Sequence, residues 1–194
     1  PLNEFEIFVR NNLSVKIIKK IKSKAKSFLS EIILSSNPFG FRSFEKGKKN
    51  QFQNCIVMVG SGGNTYVNDD EITVNRNYIK KYKVMFSKAS TDHGGQPDKE
   101  GRRKIFSRVE VLPINHICTE SYLIVGMYDT IEEAENMVLY LKTKFCRFLV
   151  STILLTQNIS KSKFDFVPNI DMAHEWTDEK LYKKFDLSDD EIEF

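Results

Sequence analysis

Apolar residues recur at three- and four-residue spacing at Ile17, Ile18, Ile21, Ala25, Phe28, Leu29 and Ile32, which predicts one amphipathic helix over residues 13–35. Lys16, Lys19, Lys20, Lys22, Lys24 and Lys26 fall mostly on its other side. Asn37-Pro38 ends it, because proline cannot continue the hydrogen-bond ladder and restricts the residue before it. A polar, basic loop follows over residues 38–53. The β-type runs Cys55–Val59 and Thr65–Val67 flank Gly60-Ser61-Gly62-Gly63-Asn64 and predict a hairpin with a five-residue turn. Asn77–Tyr82 reads as a turn or short helix, and Lys83–Ser87 as a strand. Residues 90–104 carry seven charged residues and almost no apolar ones, so they predict a long exposed loop. Ile105–Leu112 reads as a strand stopped by Pro113. Ser121–Met127 is a nearly continuous apolar run, the mark of a buried central strand. Thr130 and Glu133 form a capping box that opens a helix to about Gln157. Phe164–Val167 reads as a short strand closed by Pro168, Thr177–Phe185 as a small helix, and Ser188 with Glu191 as another capping box.

This order predicts an α+β fold: a mixed β-sheet flanked by helices, a long buried helix near residues 130–157, and short C-terminal helices. Three segments are expected: a basic amphipathic helix on the linker side over 1–36, a central domain over 37–170, and an acidic helical segment packed on it over 171–194. With 194 residues, 41% of them apolar, the chain can bury one ordinary core. No run reaches the roughly 18 apolar residues of a membrane span, so no membrane partner is expected. No signal peptide opens the chain. Cys55, Cys118 and Cys146 are too few and too scattered for a disulfide framework or a zinc site, which points to a reducing cytoplasm. The chain opens on Pro1 and stops on Phe194 in mid-pattern, as a piece of a longer protein would. From Asp171 onward there are nine acidic residues against Lys180, Lys183 and Lys184, a net of −6; with +3 overall, the preceding residues carry +9. Such asymmetry hints at a polyanion partner, although many basic domains bind none.

Four stretches narrow the reading. They are Ser35-Ser36-Asn37-Pro38-Phe39-Gly40-Phe41; Lys81-Tyr82-Lys83-Val84 through Lys88-Ala89; Cys118-Thr119-Glu120-Ser121-Tyr122-Leu123 with Glu132–Asn136 and Tyr140–Leu149; and Phe166-Val167-Pro168 with Trp176–Phe185. Together they resemble the C-terminal target-recognition region of type II restriction–modification enzymes that carry an adenine-specific DNA methyltransferase, similar to the TaqI-type specificity domain. The resemblance covers roughly residues 30–194. It implies a module that clamps double-stranded DNA against a catalytic methyltransferase domain of the same polypeptide. S-adenosylmethionine, and magnesium if the parent also cleaves, would then belong to the parent protein and no cofactor to this segment.

The residues of a catalyst are missing or differently used. An adenine methyltransferase holds its flipped base with an Asn-Pro-Pro-aromatic or Asp-Pro-Pro-aromatic loop, and Asn37-Pro38-Phe39 lacks the second proline. Gly60-Ser61-Gly62-Gly63 is followed by a β-type run, where a cofactor turn wants a helix. Asp178-Glu179-Lys180 offers the letters of a metal-dependent nuclease, but Thr177-Asp178-Glu179 reads as a helix start with acids at its positive end. His93, His116 and His174 have no metal-ligand spacing, and Cys118 reads as a small buried residue rather than a nucleophile. A catalytic nuclease fragment and a protein-docking module between restriction–modification subunits remain the alternatives to DNA recognition.

Duplex recognition needs cations for phosphates and bidentate side chains for base edges. Two loops combine both: Arg42, Lys46, Lys48, Lys49, Asn50 and Gln51 in the first, and His93, Gln96, Lys99, Arg102, Arg103 and Lys104 in the second. Arg42, Gln96, Arg102 and Arg103 are the expected base readers, with the lysines on the backbone. The opposing reading is two solvated loops, as charge runs often are. Similarly, the six lysines of the first helix read as a solvated face over the core, as a phosphate-contacting surface, or as part of a spacer. Phe39, Phe41, Phe44 and Phe52 read as plugs that anchor their loop, with a base-stacking platform as the alternative, and Trp176 as an anchor for the terminal helix.

Overall fold

The computed structural model of the protein describes residues 12–34, 36–89, 105–154 and 158–194. Helix α1 (Asn12–Lys24) and a single turn, α2 (Leu29–Ile32), lead into strand β1 (Ile33–Leu34). The hairpin β2 (Ile56–Gly60) and β3 (Gly63–Val67) comes next, then β4 (Tyr82–Ser87), β5 (Val109–Leu112), β6 (His116–Cys118) and β7 (Tyr122–Tyr128). Helices α3 (Ile131–Lys142), α4 (Lys144–Ile153), α5 (Asp178–Lys184) and α6 (Asp189–Glu193) complete the order. The larger sheet runs β1-β7-β4-β5 and is antiparallel throughout. The smaller runs β3-β2-β6, with β2 antiparallel to β3 and parallel to β6. The fold is α+β, and the mixed sheet is the smaller one.

Alternation along β4 and β7 divides the interior in two. Side chains on a strand point to opposite faces in turn. Val84, Phe86, Leu123 and Val125 face a core that includes Ile17, Ile18 and Ile21 of α1 and Met137, Leu141, Leu149 and Ile153 of α3 and α4. Met85, Tyr122 and Ile124 face a second core with Met58, Ile117, Phe39, Ile72 and Ile79. The result is three layers: helices, the four-stranded sheet, and the small sheet with its loops.

Several expectations change. The first helix stops at Lys24, not near residue 35. Ser23 Oγ donates to the Lys20 carbonyl at 2.7 Å, a back-bond that weakens the ladder. Downstream, Leu29 N–H donates to the Val167 carbonyl (2.8 Å) and Asn169 N–H to the Ser27 carbonyl (2.9 Å), so the backbone pairs across the fold there and only the single turn of α2 coils. Ile33 then enters the sheet opposite Val125. The strand expected at Phe164–Val167 is a 3-10 turn over Lys161–Phe164, followed by an isolated bridge between Pro168 and Phe28. Ile105 and Phe106 precede β5 rather than belonging to it, and Phe106 packs on Phe86 and Phe164 with ring centroids 5.8 and 6.0 Å away. The hairpin turn is tighter than expected, since Gly60 already pairs with Gly63.

The long helix expected over 130–157 is two helices broken at Thr143. Its backbone (φ −60°, ψ 153°) leaves the helical region, and its Oγ1 accepts from Cys146 N–H at 3.1 Å while donating to the Tyr140 carbonyl at 2.7 Å. The new N-terminus is capped from a distance: Asp178 Oδ2 accepts from Lys144 N–H (3.0 Å) and Oδ1 from Phe145 N–H (2.8 Å). A carboxylate there also meets the positive end of the helix dipole. Phe185 stacks on Phe145 at 5.2 Å, and Leu181 is fully buried, so residues 177–187 are packed on α4. Lys20 Nζ bonds Glu191 (2.6 Å) and the Asp186 carbonyl (2.8 Å), and Lys24 pairs with Asp186, so the acidic segment lies along part of the basic face of α1. We expect Asp178→Ala to cost about 1–3 kcal/mol through two lost charge-assisted bonds, and Thr143→Ala about 1 kcal/mol as an ordinary cap deletion. Urea unfolding followed by far-ultraviolet circular dichroism measures both.

Candidate nucleic-acid interface

The first basic loop is built onto the fold rather than hung from it. Phe39 is fully buried in the second core and Phe41 packs against the same core, so both act as plugs. Phe44 does not: it is 77% exposed. Between them Arg42 sits in a tight turn, with Glu45 N–H bonded to the Arg42 carbonyl (3.1 Å) and Arg42 N–H bonded back to the Glu45 carboxylate. Lys48 forms a two-way backbone pair with Tyr66 of β3 (2.8 and 2.9 Å), which adds one rung beyond the edge of the small sheet. That approach requires Gly47, where a Cβ would lie 2.4 Å from the Tyr66 carbonyl oxygen. Lys48 Nζ stands 4.3 Å over the Phe52 ring. Lys46, Lys48, Lys49, Asn50 and Gln51 are all exposed.

Arg42 is tied to a second element. Its Nη1 donates to Glu120 Oε2 at 2.9 Å, and Ser43 N–H donates to Glu120 Oε1 at 3.1 Å. These bonds, with the Ser43 amide leading, hold the Glu120 carboxyl below its usual range. Glu120 N–H in turn donates to the Phe41 carbonyl at 2.9 Å. The same turn fastens β4 where it leaves the sheet, because Lys88 N–H donates to the Ser121 carbonyl at 3.2 Å. Lys88 Nζ reaches the Ser36 carbonyl at 2.8 Å, and partial burial pushes its ammonium pKa down, with Glu120 opposing. Ser107 Oγ bonds the Ala89 carbonyl at 2.7 Å and Ser87 N–H bonds the Arg108 carbonyl at 3.1 Å, so the chain is pinned to itself just before residue 90 and just after residue 104. Arg108 forms a two-point pair with Glu110 (3.0 and 2.6 Å) and reaches the Tyr122 hydroxyl at 2.9 Å. Thus the root of the 42–51 loop and the end of β4 meet at one turn, Thr119-Glu120-Ser121.

No protein-family model matches the sequence, and no curated protein matches it.

Of the expected DNA-contacting residues, Arg42, Lys46, Lys48, Lys49, Asn50 and Gln51 lie on this surface. His93, Gln96, Lys99, Arg102, Arg103 and Lys104 lie outside the described residues. Lys88, Arg108 and Glu120 join the surface without having been anticipated. Lys88 and Glu120 stand alone among neutral neighbours in the sequence, and only the fold brings them to Arg42. Asp178, the first acid of the nuclease-like triplet, is spent on capping α4, and Thr177 caps α5 through Lys180 N–H at 3.4 Å. The Gly60–Gly63 turn joins two paired strands and offers no helix N-terminus to a cofactor. Cys118 and Cys146 are completely buried, which pushes their thiols up and away from reactivity. Trp176 packs against the helix-side core, its Nε1 donates to the Asp171 carbonyl at 2.7 Å, and Lys184 Nζ stands 5.1 Å over its ring. Among the described residues no three His, Cys, Asp or Glu side chains gather as metal ligands, and no helix is long and apolar enough to cross a membrane.

At the other end of β4 lies a buried cation. Lys83 of β4 is fully buried, and its Nζ donates to the carbonyls of Tyr78 (2.9 Å), Lys81 (2.8 Å) and Pro113 (3.1 Å). Three acceptors match the three donors of an ammonium. Burial nonetheless pushes its pKa down to about 7. A free lysine titrates near 10.4. Between those values the unfolded chain binds the extra proton, so this group makes stability rise with pH from about 7 toward 10.4; below 7 its cost is fully present. Lys83→Met should abolish that rise and cost about 1–3 kcal/mol at pH 9 by leaving carbonyls unpaired. Urea unfolding of both proteins at pH 6 and pH 9 measures the difference. Gly47→Ala should cost about 1–3 kcal/mol, as overpacking does, and raise amide exchange at Lys48 and Tyr66.

Proposed function

We propose that this chain is the sequence-reading, double-stranded DNA recognition module of a restriction–modification enzyme, with a catalytic adenine methyltransferase domain elsewhere in the same polypeptide. In this reading S-adenosylmethionine is bound by that other domain, the flipped base reacts there, and this segment supplies orientation and site choice. The observation that carries it is the turn Thr119-Glu120-Ser121, where the cation-rich 42–51 loop meets the end of β4 and Arg42 and Lys88 flank one carboxylate. Loops fixed on a rigid sheet are where recognition residues are ordinarily placed. The first loop offers Lys46, Lys48 and Lys49 as exposed cations for phosphates, and Asn50 and Gln51 as side chains able to pair with an adenine edge. Phe44 adds an exposed ring in the same loop, suited to lie against sugar or base.

The full chain is to be incubated with a randomised duplex pool at low salt and the retained sequences read. Enrichment of one short motif is the expected result; binding without enrichment reduces the reading to a phosphate-gripping domain, and no retention removes it. Replacing Lys46, Lys48 and Lys49 together by Ala should lower the slope of log affinity against log salt by up to about 3, at roughly 0.9 per lost phosphate contact. Its effect should be similar on enriched and scrambled duplexes. A slope equal to that of the unaltered chain excludes these lysines as phosphate contacts.

A further inference from the structure

Arg42 is held at both its backbone and its side chain, the latter by a charged partner. The turn through Glu45 holds the backbone, and Glu120 holds the guanidinium. An exposed arginine otherwise spreads over many rotamers and must be ordered when it binds. Here the ordering is already present in the free chain. The backbone around Glu120 is itself held: its N–H is bonded to Phe41, the neighbouring Thr119 N–H donates to the Val59 carbonyl of β2 at 3.0 Å, and Tyr122 N–H closes the turn onto the Thr119 carbonyl at 3.2 Å. A rigid sheet therefore holds the carboxylate, and the carboxylate holds the arginine.

One guanidinium carries five N–H donors, of which Glu120 takes one. Arg42 remains 61% exposed at the side chain, whereas Glu120 is 22% exposed. The fork that pairs with guanine O6 and N7 needs two donors in one plane, and enough remain. Lys88, within electrostatic reach of both residues, supplies a neighbouring cation for the phosphate. A carboxylate beside a phosphate-binding surface repels the ligand, so it is a cost unless it does something in return.

We propose that Glu120 is a positioning residue that presents Arg42 to a guanine in the major groove. This rests on the DNA-recognition reading above and goes further by assigning one base and the pair of residues that choose it. An ordinary surface ion pair would contribute little; this one differs because the same carboxylate also bonds the Ser43 amide and so sets the height of the turn.

The test compares the full chain with Glu120→Gln, Arg42→Ala and the double variant, each taken through selection on randomised duplexes and then titrated against the enriched duplex and single-base variants of it. Glu120→Gln keeps the size of the side chain and an acceptor but removes the charge. The expected result is a motif containing a G·C pair at which Glu120→Gln and Arg42→Ala each reduce discrimination about tenfold or more, with the double variant no worse than Arg42→Ala alone. Binding of Glu120→Gln to scrambled duplex should stay level or tighten, since a repelling charge is gone. Four results overturn the proposal. The first is a Glu120→Gln variant that binds all duplexes more tightly with its base preference intact, which makes the carboxylate merely repulsive. The second is uniform weakening with a lowered melting temperature, which makes it merely structural. The third is a motif without G·C. In these three the DNA-recognition reading survives. Failure of the unaltered chain to retain any duplex is the fourth, and it removes that reading as well.

Discussion

Burial of both faces of β4 and β7 is the constraint on which the rest of the structure depends. A strand covered on one side alternates apolar with polar residues; these strands are apolar at nearly every position because each face has its own core. The helices must then cover one face, and the small sheet with the Phe39 and Ile72–Ile79 loops must cover the other. The exception proves the rule chemically. Lys83 falls on the buried part of β4, and it is accommodated only because three turn carbonyls surround its ammonium. In doing so it ties the turns around Tyr78 and Pro113 to the sheet from inside.

The loops on the outer rim inherit their positions from that arrangement. β6 and β7 are joined by three residues, Thr119-Glu120-Ser121, and this short link is the only stretch that touches both the Arg42 turn and the end of β4 among the described residues. Its brevity leaves Glu120 little freedom. Gly47 does similar work farther along, since a bare backbone there lets the chain lie against Tyr66. Two local requirements, a three-residue link and a missing side chain, thus convert a cation-rich loop into a surface of fixed shape.

What was legible in the sequence was local or strongly periodic. β7 showed as an uninterrupted apolar run, the hairpin as two β-type runs about glycines, and the starts of α3 and α6 as capping boxes. The misread elements were those decided by a distant partner. β1 has two residues and β6 three, too few for a period, and they exist because β7 and β2 are there to pair with. The helical spacing of residues 25–35 is realised only in the single turn Leu29–Ile32, because the backbone of Ser27 and Leu29 pairs with residues 167–169. The break at Thr143 had a local sign, a threonine that can cap, but the long apolar periodicity across it outweighed that sign. Of the surface, Arg42 and the lysines could be named from composition, whereas Glu120 lies 78 positions from Arg42 and acquires its role only through the fold.

The cap on α4 also sets an order of events. The first two amides of that helix have no acceptor until Asp178, 33 and 34 positions later, has been placed against them. During synthesis α4 emerges well before its cap does. Its first turn is therefore frayed in any shorter nascent chain, and the Phe145–Phe185 stack is absent with it. The helical layer is therefore complete only in a chain that has reached Phe185.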